Sequence, residues 1–284
     1  MRFCFFFLLL LFPFIVKAQH HAPADSATHK SKPLKLEHAE PLYIDLIRDL
    51  GAHKGEKEWN IGAGMTDNLN YDSYKFLVEY EWAPIDRLGL EVEVPVTVYT
   101  RNNRDRRPDI FRPSDRVESL KLASQYTFLV NAKLQTSMAL GQITEFELAD
   151  LDRIGKEDLF SGLLFNPFLV VAKRWGGHFH SLIYTGPRLR RHFGHSGIAT
   201  DYEVNTSLHY MIPGSRNFVG VEFNKDFMED QFKMVIRPQM RLVIHESLML
   251  GIVTGIPISR TSERLSSFVR LIYEPGSRKS HHSH

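Results

Sequence analysis

Thiol chemistry is the first thing this 284-residue sequence leaves out: its one cysteine, Cys4, lies in the opening apolar run. Beyond that run there is no thiol for disulfides, redox work or nucleophilic attack. Long hydrophobic segments are missing as well. After Val16 no stretch approaches the roughly 20 apolar residues of a spanning helix, so a chain that crosses a membrane must do so as a closed barrel. A surplus of one charge sign is also lacking, since 35 Lys plus Arg stand against 33 Asp plus Glu, with Arg2 and Lys17 both in the leader. That balance gives no argument for nucleic acid. Glycine-rich phosphate loops and a helical His-Glu-Xaa-Xaa-His are absent, and Gly62-Ala63-Gly64 opens no helix.

What is there begins with an export signal at residues 1–18. Arg2 supplies the positive start, Phe3 to Val16 the apolar stretch, and Val16-Lys17-Ala18 a small-residue cleavage site. Cys4 heads the apolar stretch rather than marking the cleavage point, so no lipoprotein anchor is expected. The remaining chain divides into a His-rich periplasmic lead with a short amphipathic helix (19–57), a barrel (58–274) and a His-rich periplasmic tail (275–284).

Strand-like segments are read at 58–65, 73–82, 88–99, 117–129, 134–146, 163–174, 179–188, 199–211, 217–226, 232–243, 247–257 and 265–274. Tight connectors at 83–87, 130–133, 175–178, 212–216 and 244–246 alternate with connectors that include the long polar stretches 101–116, 147–162 and 189–198. Short periplasmic turns and long outer loops are how a transmembrane β-barrel is built. The fold expected is all-β, an antiparallel transmembrane barrel of about twelve strands with a short N-terminal amphipathic helix.

Period-two alternation says which side chains face the lumen. Leu90, Val92, Val94, Val96 and Val98 alternate with Gly89, Glu91, Glu93, Pro95 and Thr97. Carboxylates at every second position fit a wet or ion-paired lumen, with the valines in lipid. The same reasoning puts Lys75, Glu79, Glu81, Lys121, Gln125, Arg237 and Arg241 inside. Aromatics near strand ends, among them Tyr74, Trp82, Tyr99, Tyr126, Trp175, Tyr184, Tyr202, Tyr210 and Tyr273, are expected in girdles at the two interfaces.

Residues 41–50 have helical spacing, with Leu42, Tyr43, Leu46, Ile47 and Leu50 on one face and Gly51 as a stop. Such a helix can enter the lumen as a plug, lie on the periplasmic rim or contact a partner, and the spacing does not choose. Segment 163–174 is apolar on both faces, so Leu164, Phe168 and Val170 need something inside the barrel to pack on. A plug would supply it.

The stretch His38-Ala39-Glu40-Pro41-Leu42-Tyr43-Ile44-Asp45-Leu46-Ile47-Arg48-Asp49-Leu50-Gly51, followed by Gly55-Glu56-Lys57-Glu58-Trp59-Asn60-Ile61-Gly62, resembles the front of an uncharacterised family of bacterial outer-membrane β-barrel proteins. Glu79-Tyr80-Glu81-Trp82-Ala83-Pro84-Ile85-Asp86-Arg87-Leu88-Gly89-Leu90-Glu91 is similar to a hairpin of porin-like transporters from aromatic-degradation gene clusters. The resemblance implies the outer membrane of a Gram-negative bacterium and a transporter-like role. Barrels of this kind usually end on an aromatic residue, whereas Tyr273 is followed here by a tail through Arg278 and Lys279 to His284.

Candidate chemistry is sparse. His20, His21, His38, His281, His282 and His284 crowd the ends, either as weak divalent-metal ligands or as solvated tails. No other cofactor is expected. Glu79, Glu81, Glu91 and Glu93 form the densest carboxylate patch but lack the cleft of a glycosidase or the loop of a calcium site. His245-Glu246-Ser247 has the His-Xaa-Ser spacing of lipid-hydrolysing barrels but falls in a turn, so no catalytic residue is assigned. The expected function is passage of a small solute or ion across the outer membrane. The alternatives are a structural or partner-docking barrel without transport and, less favoured, a barrel enzyme. Expected partners are outer-membrane lipid, a small solute and a periplasmic protein.

Overall fold

The computed structural model describes residues 32–276, apart from 45, 102–111, 152–154, 156, 157, 230 and 261. The expected signal peptide and the histidines at positions 20, 21, 281, 282 and 284 lie outside these. Twelve antiparallel strands follow in order: β1 Lys57–Asn68, β2 Tyr71–Ile85, β3 Leu88–Arg101, β4 Arg116–Val117 with Ser119–Asn131, β5 Thr136–Leu148 and β6 Phe160–Trp175. The second half comprises β7 Phe179–His192, β8 Ala199–Met211, β9 Phe218–Met228, β10 Gln231–His245, β11 Leu248–Pro257 and β12 Glu263–Tyr273. Each strand pairs with its sequence neighbours, and β1 pairs with both β2 and β12 (Trp59 with Tyr80 and with Tyr273), so the sheet closes into a barrel with no free edge. All twelve expected strands are present, within a few residues at each end.

Polarity is inverted relative to a water-soluble protein. Facing inward and buried are Glu58 and Asn60 of β1, Glu79 and Glu81 of β2, Glu91 and Glu93 of β3, Glu222 of β9 and Arg237, Gln239 and Arg241 of β10. Their strand neighbours Ile61, Phe76, Val78, Val94, Met240 and Leu242 are exposed on the outside. Apolar residues outside and charges inside are stable only when the outer solvent is lipid. Aromatics flank this band. At the short-turn end Trp59 meets Tyr80 at 4.5 Å, Tyr80 stacks on Trp82 at 5.5 Å, and Phe179 meets Tyr210 at 5.2 Å; at the loop end Phe227 lies 5.0 Å from Phe232. Tyr99 and Tyr184 are corrections to the expected girdles. Both point into the lumen and are buried, Tyr184 stacked on Phe168 at 4.6 Å.

The N-terminal segment lies inside the barrel at the short-turn end. It is not the expected helix: the described residues between 41 and 50 form bends and a turn, and Arg48 takes a left-handed φ of 62°. A helix satisfies its own amides, but here barrel side chains do so instead, which removes the advantage of coiling. The leucines and isoleucine expected on one helix face are nonetheless all buried, whereas Tyr43, expected with them, is 44% exposed.

Orientation of the wall has a direct test. Val78, 50% exposed and at the middle of β2, pairs with Val94 and Ile61 in the outer band. Val78→Arg should cost about 2–4 kcal/mol in folding into lipid vesicles, the price of arginine near the bilayer midplane. Lys75→Arg, on the inner face toward the loop end, should change folding little; equal costs at the two positions would contradict this orientation.

Candidate functional site

The lumen is built as a socket for residues 33–52. Five of their backbone N–H groups donate to barrel side chains: Ala39 to His180 Nδ1 (2.7 Å), Leu42 to Gln239 Oε1 (2.8 Å), Ile44 to Glu222 Oε1 (3.1 Å), Gly51 to Thr127 Oγ1 (2.9 Å), and Arg48 to Glu81 Oε2. Gln125 Nε2 donates back to the Arg48 carbonyl at 3.0 Å. These partners come from β2, β4, β7, β9 and β10, so the segment is held from around the ring. The end of the segment and the residues after it are tied to the β2–β3 hairpin, with Arg87 N–H on the Ala52 carbonyl at 2.6 Å and Gly55 N–H on that of Ala83 at 2.8 Å.

Apolar contacts divide the segment between two walls. Leu46, Ile47 and Leu50 pack with Phe168, Val170 and Ala172 of β6 and with Ala123, Ala139, Leu182 and Tyr184. This is the partner the doubly apolar strand required, although Leu164, expected in the contact, is buried outside this cluster. Ala39 and Leu42 join Phe218, Met249, Val253, Phe268 and Ile272 on the other side. Two glycines make room: a Cβ at Gly89 would collide with the Ile47 carbonyl, and one at Gly251 would meet the Leu42 side chain at 2.8 Å. Such close approach of backbone is what a strand glycine permits.

Charges fill the rest. Glu81 stands opposite Glu91 and Glu79 opposite Glu93 across β2 and β3, and Lys121 of β4 reaches Glu91 at 2.9 Å and Glu93 at 2.7 Å. Asn60 Nδ2 donates to Glu58, Glu79 and Glu81 at 3.0, 2.7 and 3.0 Å, and Arg270 approaches Glu79 at 4.0 Å. Arg48, from the inserted segment, donates to Glu58 at 2.6 Å. On the far wall Arg237 donates to Asn224 at 2.7 Å and to Ser266 at 3.1 Å, and its guanidinium lies 3.3 Å above the Tyr43 ring. Burial is nearly complete: Glu79 is 0% exposed, Glu222 1% and Glu91 2%. One cavity of about 20 Å³, room for a water molecule, lies between Arg48, Glu58, Glu81, Arg241 and Arg270. Oxygens of Glu79, Glu81 and Glu91 lie within 4.8 Å of one another, a spacing that a metal could use, but Lys121 and Asn60 already engage this group.

Of the residues expected to line the lumen, Glu79, Glu81, Glu91, Glu93, Lys121, Gln125, Arg237 and Arg241 converge here, whereas Lys75 is exposed toward the loop end. His38 is no part of a solvated tail: its Nε2 contacts Ser137 Oγ at 2.9 Å and its ring lies 6.2 Å from that of His180. His245 and Ser247 come within 3.4 Å of each other, on an exposed turn. Sequence reasoning missed Arg48, Glu58, Asn60, His180, Glu222 and Arg270. Glu58 and Asn60 alternate with Trp59 and Ile61, a period-two signal that could have placed them inside.

Within the inserted segment, burial opposes ionisation of Asp49, but Lys35 and Arg48 overcome it and hold the acid well below the usual range. Burial, then the charge of Asp49, pushes Glu40 well above it. Burial, then the proximity of His180 and Arg174, lowers the His38 imidazole to about 4, with Asp49 opposing.

A closed antiparallel barrel with a lipid-facing apolar band and an inserted N-terminal segment defines the class as an outer-membrane-type β-barrel. Within it, the chain belongs to the HAEPLYID-like family, whose sequence profile matches residues 34–274. The letters of that description are residues 38–45 of this chain, of which 38–44 lie in the lumen. A search of curated proteins returns no match. Among solved structures, the fold is similar to an outer membrane channel from Pseudomonas putida F1 (11% identity, TM-score 0.57, covering 81% of this chain and 99% of that one). It is also similar to the KdgM porin (12%, 0.51, 76% and 98%) and the NanC porin (7%, 0.52, 76% and 98%).

Seating of the segment should depend on pH. His180 Nδ1 accepts the Ala39 N–H and so must be unprotonated, and His38 is neutral when seated. A released His38 regains an ordinary value of about 6.5. As pH falls from there toward 4, the released form binds a proton at His38 that the seated form does not, so this imidazole weakens seating through that window. Glu40, raised when seated, acts in the opposite direction, and the His38→Gln comparison isolates the imidazole. Proteolysis of purified protein in lipid vesicles should cut within 33–52 faster at pH 4.5 than at 7.5, with a smaller difference in His38→Gln. Equal rates at both pH values, with the protease's own pH dependence corrected, would remove the imidazoles from the latch.

Proposed function

We propose that this protein is an outer-membrane channel for a small solute, held shut by its own residues 33–52. The observation that carries the reading is the seating of that segment by side-chain hydrogen bonds from around the ring. A barrel built only as a scaffold could fill its lumen with wall side chains, as small barrels do. Here the filling is a separate stretch of chain that enters from the short-turn end, beside the first strand. Residues 1–18 are then the export signal, and the short-turn end faces the periplasm.

The fold likeness to porins supports passage, and one of these, the KdgM porin, has been seen in complex with disordered oligogalacturonate. The Glu79 to Glu91 hairpin, similar to that of transporters in aromatic-degradation clusters, supports an organic solute. We assign no catalytic role, since His245 and Ser247 sit on an exposed turn away from the lumen. The filled lumen itself favours the second reading, a partner-docking barrel in which the segment is a fixed brace.

Conductance in planar bilayers separates the two. Deletion of residues 33–52, or Leu46→Asp with Ile47→Asp, should raise single-channel conductance several-fold while far-ultraviolet circular dichroism stays that of a folded barrel. Each buried aliphatic contributes about 1.5–3 kcal/mol to seating, so the double substitution suffices to unseat the segment. A folded, inserted deletion variant that conducts no better than the full chain would overturn the channel reading in favour of the brace.

A further inference from the structure

We infer that the outer face of β4 to β6 is a contact surface for a second copy of this chain, with Gln142 at its centre. A hydrogen-bonding group on a lipid-facing wall has acyl chains for neighbours, so it needs a partner other than water. Elsewhere on the outer wall such groups are met locally. Lys225 Nζ donates to Thr206 Oγ1 at 2.9 Å, Thr185 Oγ1 to the Tyr202 hydroxyl at 3.2 Å, and Trp175 Nε1 to Ser181 Oγ at 2.8 Å. Gln142 differs from these: it is exposed, and its amide makes no side-chain hydrogen bond among the described residues.

The direction of Gln142 is fixed by its neighbours. A Cβ on Gly141 would run into the Phe168 ring inside the barrel, and Ala139 is fully buried, so Leu140 and Gln142 point to lipid. Gln142 stands at the middle of β5, between Phe146, which meets Phe160 at 6.0 Å toward the loops, and Tyr126, opposite Leu140 toward the short turns. The amide is therefore well inside the apolar band. Strand pairing sets Ser124 of β4 on one side of it and Pro167 of β6 on the other. Both side chains are small, so another wall can approach closely here, while Leu122, Leu140 and Phe165 stand exposed around them.

The occupant follows from the chemistry of the amide. An acyl chain offers neither donor nor acceptor, whereas a primary amide carries both. Two copies related by a two-fold axis through this face satisfy each other, each Gln142 Nε2 donating to the Oε1 of the other. Small residues that let walls meet, with a polar side chain bonding across, are what drives association within a bilayer, where apolar surface alone gives no preference for protein over lipid.

The sequence suits a cross-linking test, since Cys4 is its one cysteine. In a Cys4→Ser background, Leu140→Cys should form a disulfide-linked dimer on oxidation in isolated outer membranes. Ile252→Cys, exposed on β11 of the far wall, should not. Energy transfer between donor- and acceptor-labelled copies of the full chain, followed as vesicles are diluted with lipid, should give a saturable dimer. Gln142→Leu, an apolar residue on a lipid-facing site, should fold at least as well and raise the dissociation constant about tenfold, the scale of a hydrogen-bonded pair lost in a bilayer. Cross-linking of Leu140→Cys no stronger than that of Ile252→Cys, or energy transfer at the level of random proximity, would overturn the inference. So would a dimer whose dissociation constant is the same with Gln142→Leu.

Discussion

Every part of this molecule depends on one constraint: a stretch of irregular backbone placed at membrane depth must have its amides satisfied by something other than water or itself. Irregular chain is tolerated there only where protein or a wet cavity surrounds it. The barrel meets that demand with a set of inward acceptors, His180, Gln239, Glu222, Glu81 and Thr127, each aimed at one N–H of the inserted segment. An acceptor array needs polar residues on the inner face, and polar residues on the inner face need lipid on the outer one. The inverted polarity of the wall and the conformation of the segment are therefore two sides of the same requirement.

Charge balance follows from the same placement. A carboxylate buried without a partner is too costly to keep ionised, so each must find hydrogen bonds or a cation. Lys121 between Glu91 and Glu93, Asn60 among Glu58, Glu79 and Glu81, and Arg48 on Glu58 meet this need. Only the last of these is removable without altering the barrel. The segment is thus an electrostatic component of the wall as well as a steric one, and losing it changes both the bore of the lumen and the charges that line it.

The barrel was legible in the sequence because a strand's side chains repeat every two residues, and a wall with lipid on one side and charge on the other writes that period strongly, as in Leu90 to Thr97. The burial of Leu42, Leu46, Ile47 and Leu50 was legible for a related reason: apolar residues crowded in a polar lead must go somewhere, and the doubly apolar β6 needed a partner. The conformation was not legible. Spacing of three and four marks a helix only when the backbone satisfies itself, and here the competing acceptors stand far along the chain, Glu222 178 positions and Gln239 197 positions from the amides they hold. No local window contains them. Tyr99 and Tyr184 were misplaced because nearness to a strand end does not say which face a side chain takes, and parity with Glu91 and with Leu182 puts both inside.

The bonds that hold the segment differ in kind from those that hold the barrel, and that difference makes a gate physically reasonable. The wall is closed by a continuous ladder of paired strands, from β1 round to β12 and back, so local opening would expose many backbone groups to lipid at once. The segment is held by separate side-chain contacts, each of which water in the lumen or a polar solute can replace. Two apolar clusters oppose release, but they face opposite walls, Leu46 to Leu50 on one and Ala39 with Leu42 on the other. Either half can therefore lift while the other stays seated. Residues 52–55, tied to the β2–β3 turn, mark the place from which such a movement would pivot. On the channel reading proposed above, a wall that cannot open locally, enclosing a segment held by separate contacts, places the gate in the lumen rather than in the barrel.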